Sequence, residues 1–104
     1  MRKYGNHKTT INGIQYDSKK EAARHAELKL LERAGQITEL TLQPVYRIEI
    51  NGKLVCKYIG DFRYVENGLV VVEDVKSPVT RKNPVYRLKN KLMQAVHGIT
   101  IREV

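Results

Sequence analysis

The sequence predicts an α/β fold of the α+β kind, a mixed sheet flanked by helices and preceded by a small β-hairpin. Three observations carry this. Asn-Gly dipeptides at 12–13, 51–52 and 67–68 each separate two β-prone runs. Asn-Gly in that setting is the strongest short-range hairpin signal, because a type I′ turn needs φ > 0 at both central residues. Residues 18–34 are rich in Ala, Leu, Glu, Lys and Arg, the composition of a helix. The chain then finishes as strand, helix, strand, which favours a right-handed crossover and parallel pairing.

Residues 1–8 (MRKYGNHK) are basic and polar and read as a flexible arm, with residues 9–104 as a single domain. Thr9–Ile11 and Ile14–Tyr16 flank the first Asn-Gly turn. Ser18-Lys19-Lys20-Glu21 matches a capping box and opens the first helix. Ala22, Ala23, Ala26, Leu30 and Ala34 recur at helical spacing, and Gly35 supplies the stop. The alanines suggest close approach to a sheet. From Ile37 the pattern turns to β. Val45–Ile50 and Lys53–Tyr58 flank the second turn, with Pro44 at the start of the first strand. Gly60 predicts a bulge or bend. A strand from about Lys53 to Glu66 would pair with Val45–Ile50 in its first half and with Leu69–Val75 in its second, an antiparallel meander of three strands. Ser77–Pro84 holds two prolines and reads as an irregular polar loop. Val85, Leu88, Leu92, Met93 and Val96 mark a second helix over 85–97, ended by Gly98. Ile99–Val104 alternates as a last strand. The element order is α-β-β-β-α-β.

At 104 residues the chain is one domain able to bury a core. No run of about 18 apolar residues is present to cross a membrane. The basic N-terminus lacks the apolar stretch of a signal peptide, so the expected location is the cytoplasm. Cys56 is alone, which excludes an internal disulfide and a Cys-based zinc site, and it reads as a small packing residue. The formal charge of +8 favours a polyanionic partner, of which nucleic acid is the commonest.

The Asn67-Gly68 turn also fixes a register. Glu66 faces Leu69, Tyr64 faces Val71 and Asp61 faces Asp74. Like charges in such a pair destabilise it, so two carboxylates there call for a cation between them. With side chains alternating, Lys76 shares a face with Asp74, while Glu73 points away and is expected to meet a basic residue under the sheet. Two acids with an amine beside them suit metal-assisted phosphodiester hydrolysis. The plainer reading is a salt-bridge ladder with Arg63 or Lys76. Arg81, Lys82, Arg87, Lys89, Asn90 and Lys91 follow the site, as phosphate contacts or as a solvated helix face. Tyr86 reads as a packing residue. His7, His25 and His97 lack ligand spacing and read as surface residues.

With these residues, the chain resembles the PD-(D/E)XK nuclease superfamily over residues 14–104. Asp61 matches the first acid, Asp74-Val75-Lys76 the (D/E)XK element, and Glu21 the extra acid that many members carry on the first helix. Tyr16-Asp17-Ser18-Lys19-Lys20-Glu21-Ala22, Leu42-Gln43-Pro44 and Val72-Glu73-Asp74-Val75-Lys76 look like a group of small phage and prophage proteins within it. Gly60 stands in place of the motif's proline, which is often absent in such families and is not chemically required. The resemblance implies a restriction-endonuclease-like core and a DNA endonuclease, structure-selective or nonspecific in the manner of a junction resolvase, working in a bacterial host cell if phage-derived. It implies Mg²⁺ or Mn²⁺ held by Asp61, Asp74, the Val75 carbonyl and Glu21, with Lys76 orienting water or stabilising phosphoryl charge. Glu21 has a second reading as a helix cap alone. Arg81, Lys82, Arg87, Lys89 and Lys91 would contact DNA. Cutting both strands needs two sites, which a homodimer supplies. The alternative is a non-catalytic DNA-binding or phage protein-interaction module that keeps the fold.

Overall fold

The computed structural model describes residues 8–11 and 13–104. Residues 1–7 of the expected arm at 1–8, with His7, lie outside the described residues, as does Asn12. In chain order the elements are β1 (Thr9–Ile11), β2 (Ile14–Tyr16), α1 (Lys19–Arg33), β3 (Thr38–Leu42), β4 (Val45–Ile50), β5 (Lys53–Ile59), β6 (Phe62–Glu66), β7 (Leu69–Asp74), α2 (Pro78–Arg81), α3 (Pro84–Leu92) and β8 (Arg102–Glu103). The two later Asn-Gly turns have the type I′ signature, with φ of 53° and 78° at Asn51-Gly52 and 53° and 76° at Asn67-Gly68. β1 and β2 pair as the expected small hairpin, Ile11 opposite Ile14.

Ser18 caps α1, its Oγ accepting the Glu21 N–H at 3.1 Å. Gly35, at φ +79°, ends the helix. The buried face differs from the expected one. Glu21, Ala22, His25 and Leu28 face inward, while Leu30 is 60% exposed and Ala23, Ala26 and Ala34 lie on the surface. Two of the four inward residues are polar, so the apolar spacing pointed to the wrong stripe. His25 is accordingly a core residue, not a surface one. Its Nδ1 meets the Tyr16 hydroxyl and its ring stacks on Phe62 with centroids 5.6 Å apart. His97 is exposed, as expected.

The main sheet is mixed, with strand order β3-β6-β7-β8. The first three strands are antiparallel, and β8 runs parallel to β7, as the crossover predicted. The three-stranded meander is corrected. β5 does not continue into β6, and β4–β5 forms a separate two-stranded ribbon. The reason is local. Gly60 N–H donates to the Pro44 carbonyl (3.0 Å) and Gln43 N–H to the Asp61 carbonyl (2.9 Å), which closes the ribbon at its base. β3 therefore takes the place beside β6. The three strands expected between the helices were β4, β5 running into β6, and β7; the mixed sheet instead takes β3, β6, β7 and β8, with the β4–β5 ribbon outside it.

The segment 77–84 is not wholly irregular. Pro78–Arg81 forms a short helix, with Ser77 Oγ accepting the Thr80 N–H at 3.3 Å. Proline suits a first helical turn because its missing N–H has no intrahelical partner there. Pro84 opens α3 in the same way. Past Leu92 the helix widens to a π-turn over Met93–His97, and Gly98 ends it at φ +68°. Of the expected apolar stripe, Met93 is fully buried, while Val85 and Leu88 are exposed. β8 is shorter than the expected 99–104.

Two hydrophobic clusters lie on opposite faces of the sheet. Leu28, Ile37, Phe62 and Tyr64 fill the α1 side. Ile48, Tyr58, Val72, Met93 and Ile101 fill the side under the ribbon and α3, with Cys56 packed at the edge. No described helix is long and apolar enough to cross a membrane.

Candidate active site

The turn at Asn67-Gly68 delivers the expected ladder, from Glu66 opposite Leu69 to Phe62 opposite Glu73. Asp61 lies one residue beyond that last pair, and its N–H donates to the Glu73 carbonyl at 3.0 Å. The carboxyl groups nonetheless converge. Val75 N–H donates to Asp61 Oδ2 at 2.7 Å, and the Asp61 and Asp74 carboxyls lie near enough to act on each other electrostatically. Lys76 Nζ stands 3.9 Å from Asp74 Oδ1, on the same face as predicted. Its ammonium sits 4.7 Å from the Tyr86 ring centroid, and the Tyr86 hydroxyl is tied to Glu103 Oε2 at 2.6 Å. Tyr86 thus packs and steadies the lysine.

Asp74 is 1% exposed and its Oδ2 accepts the Tyr58 hydroxyl. Burial, then the nearby Asp61 carboxyl, pushes Asp74 up to about 7 against the pull of Lys76. Burial likewise raises Asp61. Glu21 is buried at the start of α1 and pushed up to about 7 by burial first, then by Asp61 and Asp17. The backbone N–H of Asp17 works the other way. Glu21 therefore joins both alternatives: it belongs to the helix cap, and it faces the acid pair.

Glu73 points to the other face, as expected, and meets Arg24. The guanidinium grips both carboxylate oxygens, at 2.8 and 2.7 Å. The Tyr64 hydroxyl also donates to Glu73, and Arg102 donates to Tyr64 at 2.9 Å. Glu73 is thus committed to structure, linking α1 to the sheet behind the acid pair.

Glu21, Asp61, Val75 and Lys76 line one cleft of ≈ 290 Å³, together with Asp17 and Lys20. Glu21 and Asp61 also line a smaller one of ≈ 130 Å³, with Gln43 on its wall. The expected DNA-contact residues divide. Lys89 reaches a third cleft, beside Lys76 and Lys57. Arg81, Arg87 and Lys91 line a separate depression with Glu103, and Lys82 is exposed on the surface. Sequence reasoning missed Asp17, Tyr58 and Lys57. Asp17 had a signal in its place beside the cap. Tyr58 and Lys57 had none, because only the closing of the ribbon over the sheet brings them to the site.

Among the described residues, no group of three or more His, Cys, Asp and Glu side chains is drawn together closely enough to hold a metal ion as it stands. The donor chemistry of the acid pair does fit a divalent cation. Both carboxyls are raised by burial, so a cation would relieve them, and Mg²⁺ commonly takes one or two protein carboxylates with waters completing its shell.

The chain belongs to the family described as "Protein of unknown function (DUF1064)", whose model matches residues 1–101. No curated protein and no solved structure matches it.

Proposed function

We propose that the protein is a metal-dependent endodeoxyribonuclease, structure-selective or nonspecific, with a PD-(D/E)XK-type site. One observation carries this reading: Asp61 opens onto a cleft with Lys76 on its wall, and the Lys76 ammonium stands 3.9 Å from the carboxyl of the buried Asp74. Asp61 and Asp74 would hold Mg²⁺ or Mn²⁺, with Glu21 and the Val75 carbonyl at its margin. The ion supplies an acidified water and a polarised phosphate. The chain's own residues do the rest. Val75 N–H fixes one oxygen of Asp61, and the Tyr58 hydroxyl fixes one of Asp74. Lys76, a quarter exposed and braced on Tyr86, can reach a phosphoryl oxygen and stabilise the charge that builds there. Arg24 and Glu73 keep α1 against the sheet and so keep Glu21 near the acid pair.

A second reading has one observation behind it. Tyr58 and Lys76 already attend both oxygens of Asp74. That arrangement also suits a DNA-binding or protein-interaction module whose acids are structural.

The test is incubation of branched, duplex and single-stranded DNA with the wild type and with Asp74→Ala and Lys76→Ala, with and without Mg²⁺ or Mn²⁺. The nuclease reading expects metal-dependent cutting by the wild type alone, with the variants folded by circular dichroism. It also expects either ion to raise the wild-type melting temperature, by roughly 2.7 kcal/mol of stability at a hundredfold excess over Kd. Cutting by Asp74→Ala at the wild-type rate overturns it. No cutting and no metal-dependent shift favours the second reading.

A further inference from the structure

The acidic cleft does not end at Lys76. Lys76 and Thr80 also line the neighbouring cleft of ≈ 370 Å³, so the two adjoin at these residues. That second cleft runs between the β4–β5 ribbon and the start of α3. Lys57 comes to its wall from the ribbon, Lys89 from the helix and Lys76 from the end of the sheet. None of its lining residues is acidic. Among the described residues, neither Lys57 nor Lys89 forms an ion pair. Lys76 has Asp74 3.9 Å away, but Lys57 and Lys89 line the hollow with no counter-charge, and like charges there repel unless an anion lies between them. The competing basic patch is different. It includes Glu103, and the Arg81 guanidinium lies 3.8 Å from that carboxylate. It lines another depression, which shares Tyr86 with the lysine-walled cleft but has none of Glu21, Asp61, Asp74 and Lys76 on its wall.

We infer that the lysine-walled cleft carries the phosphodiester backbone of a nucleic-acid strand away from the acidic site, with Lys57 and Lys89 as its phosphate contacts. The Arg87 and Lys91 side of α3 is off this path. The inference deepens the nuclease reading and rests on it for the strand's position at Asp61 and Asp74. Recognition here is of charge, not of bases, because the Tyr86 ring is already covered by Lys76. Sequence preference should therefore be weak.

Binding in EDTA tests this without cleavage. A fluorescent single strand and the matching duplex are titrated across a salt series. The proteins are the wild type, Lys57→Gln/Lys89→Gln and Arg87→Gln/Lys91→Gln, each checked by circular dichroism. Loss of two phosphate contacts should lower the slope of log affinity against log salt by about 1.8 on duplex, or about 1.4 on single strand. Whichever probe shows the drop identifies the form of strand held. The Arg87→Gln/Lys91→Gln slope should match the wild type. An unchanged slope in Lys57→Gln/Lys89→Gln, a drop in the other variant instead, or no wild-type binding at low salt overturns the inference. If the wild type binds through this cleft but never cuts with metal, the nuclease reading fails and the binding path stands. If it cuts while the lysine variant keeps its slope, the path fails and the nuclease reading stands.

Discussion

Replacing Asp74 by asparagine should make the metal-free protein more stable at alkaline pH. Asp74 is 1% exposed, and burial with Asp61 beside it raises its carboxyl from 3.8 to about 7. A carboxyl raised on folding favours the folded state while it is protonated. That contribution is complete below the ordinary value and is lost as pH climbs through about 7. At 1.36 kcal/mol for each tenfold change in proton affinity, ionised Asp74 costs roughly 4 kcal/mol near pH 8. Asparagine keeps the shape and removes the charge. Its oxygen can still accept from Tyr58. Allowing about 1–2 kcal/mol for imperfect amide bonds, the net gain near pH 8 is roughly 2–3 kcal/mol. For a domain of this size, that is on the order of 10 °C or more in Tm. Near pH 5 the wild-type carboxyl is largely protonated in the folded state, so the gain should shrink by about 2–3 kcal/mol. Urea and thermal unfolding in EDTA, followed by circular dichroism at both pH values, measures the difference. A variant no more stable than the wild type at alkaline pH would refute the reasoning. So would a gain that does not shrink on acidification.

Two further perturbations probe the parts that hold the site in place. A Cβ added at Gly60 would lie 2.9 Å from Val72 Cγ1, so Gly60→Ala should lose about 1–3 kcal/mol in urea unfolding. Stability equal to wild type would show that the approach of this segment to β7 is looser than the geometry says. Arg24→Leu should cost about 3–5 kcal/mol, because it leaves the fully buried Glu73 carboxylate with no cation. Stability equal to wild type would show that Tyr64 alone satisfies the buried carboxylate.

Much of the site was legible because its key spacing is short. A two-residue Asn67-Gly68 turn leaves no freedom of register, so Tyr64 had to meet Val71, and Asp61 and Asp74 had to arrive near each other. The side-chain alternation of β7 then separated Glu73 from Asp74, and Arg24 was found where a basic residue was expected. The inward face of α1 was misread because it buries Glu21 and His25 among its apolar residues, and polar residues carry no hydrophobic period. The helix at Pro78–Arg81 was missed because proline was read as a breaker where it opens a first turn. The partner of β6 was missed for a different reason. β5 and β6 read as one strand across Gly60, which left no place for Thr38–Leu42 beside β6.

What the sequence alone determined was therefore local: the turns, the helix caps, the alternation of side chains and the charge. These follow from backbone dihedrals and spacing over a few residues. Tertiary structure decided which strands share a sheet, because that choice depends on which edges and faces can be covered together. Closing β4–β5 into its own ribbon at Gly60 put β3 beside β6 and laid Tyr58 on Asp74. The same closure brought Lys57 across from Lys89, a meeting of residues that no spacing in the sequence records.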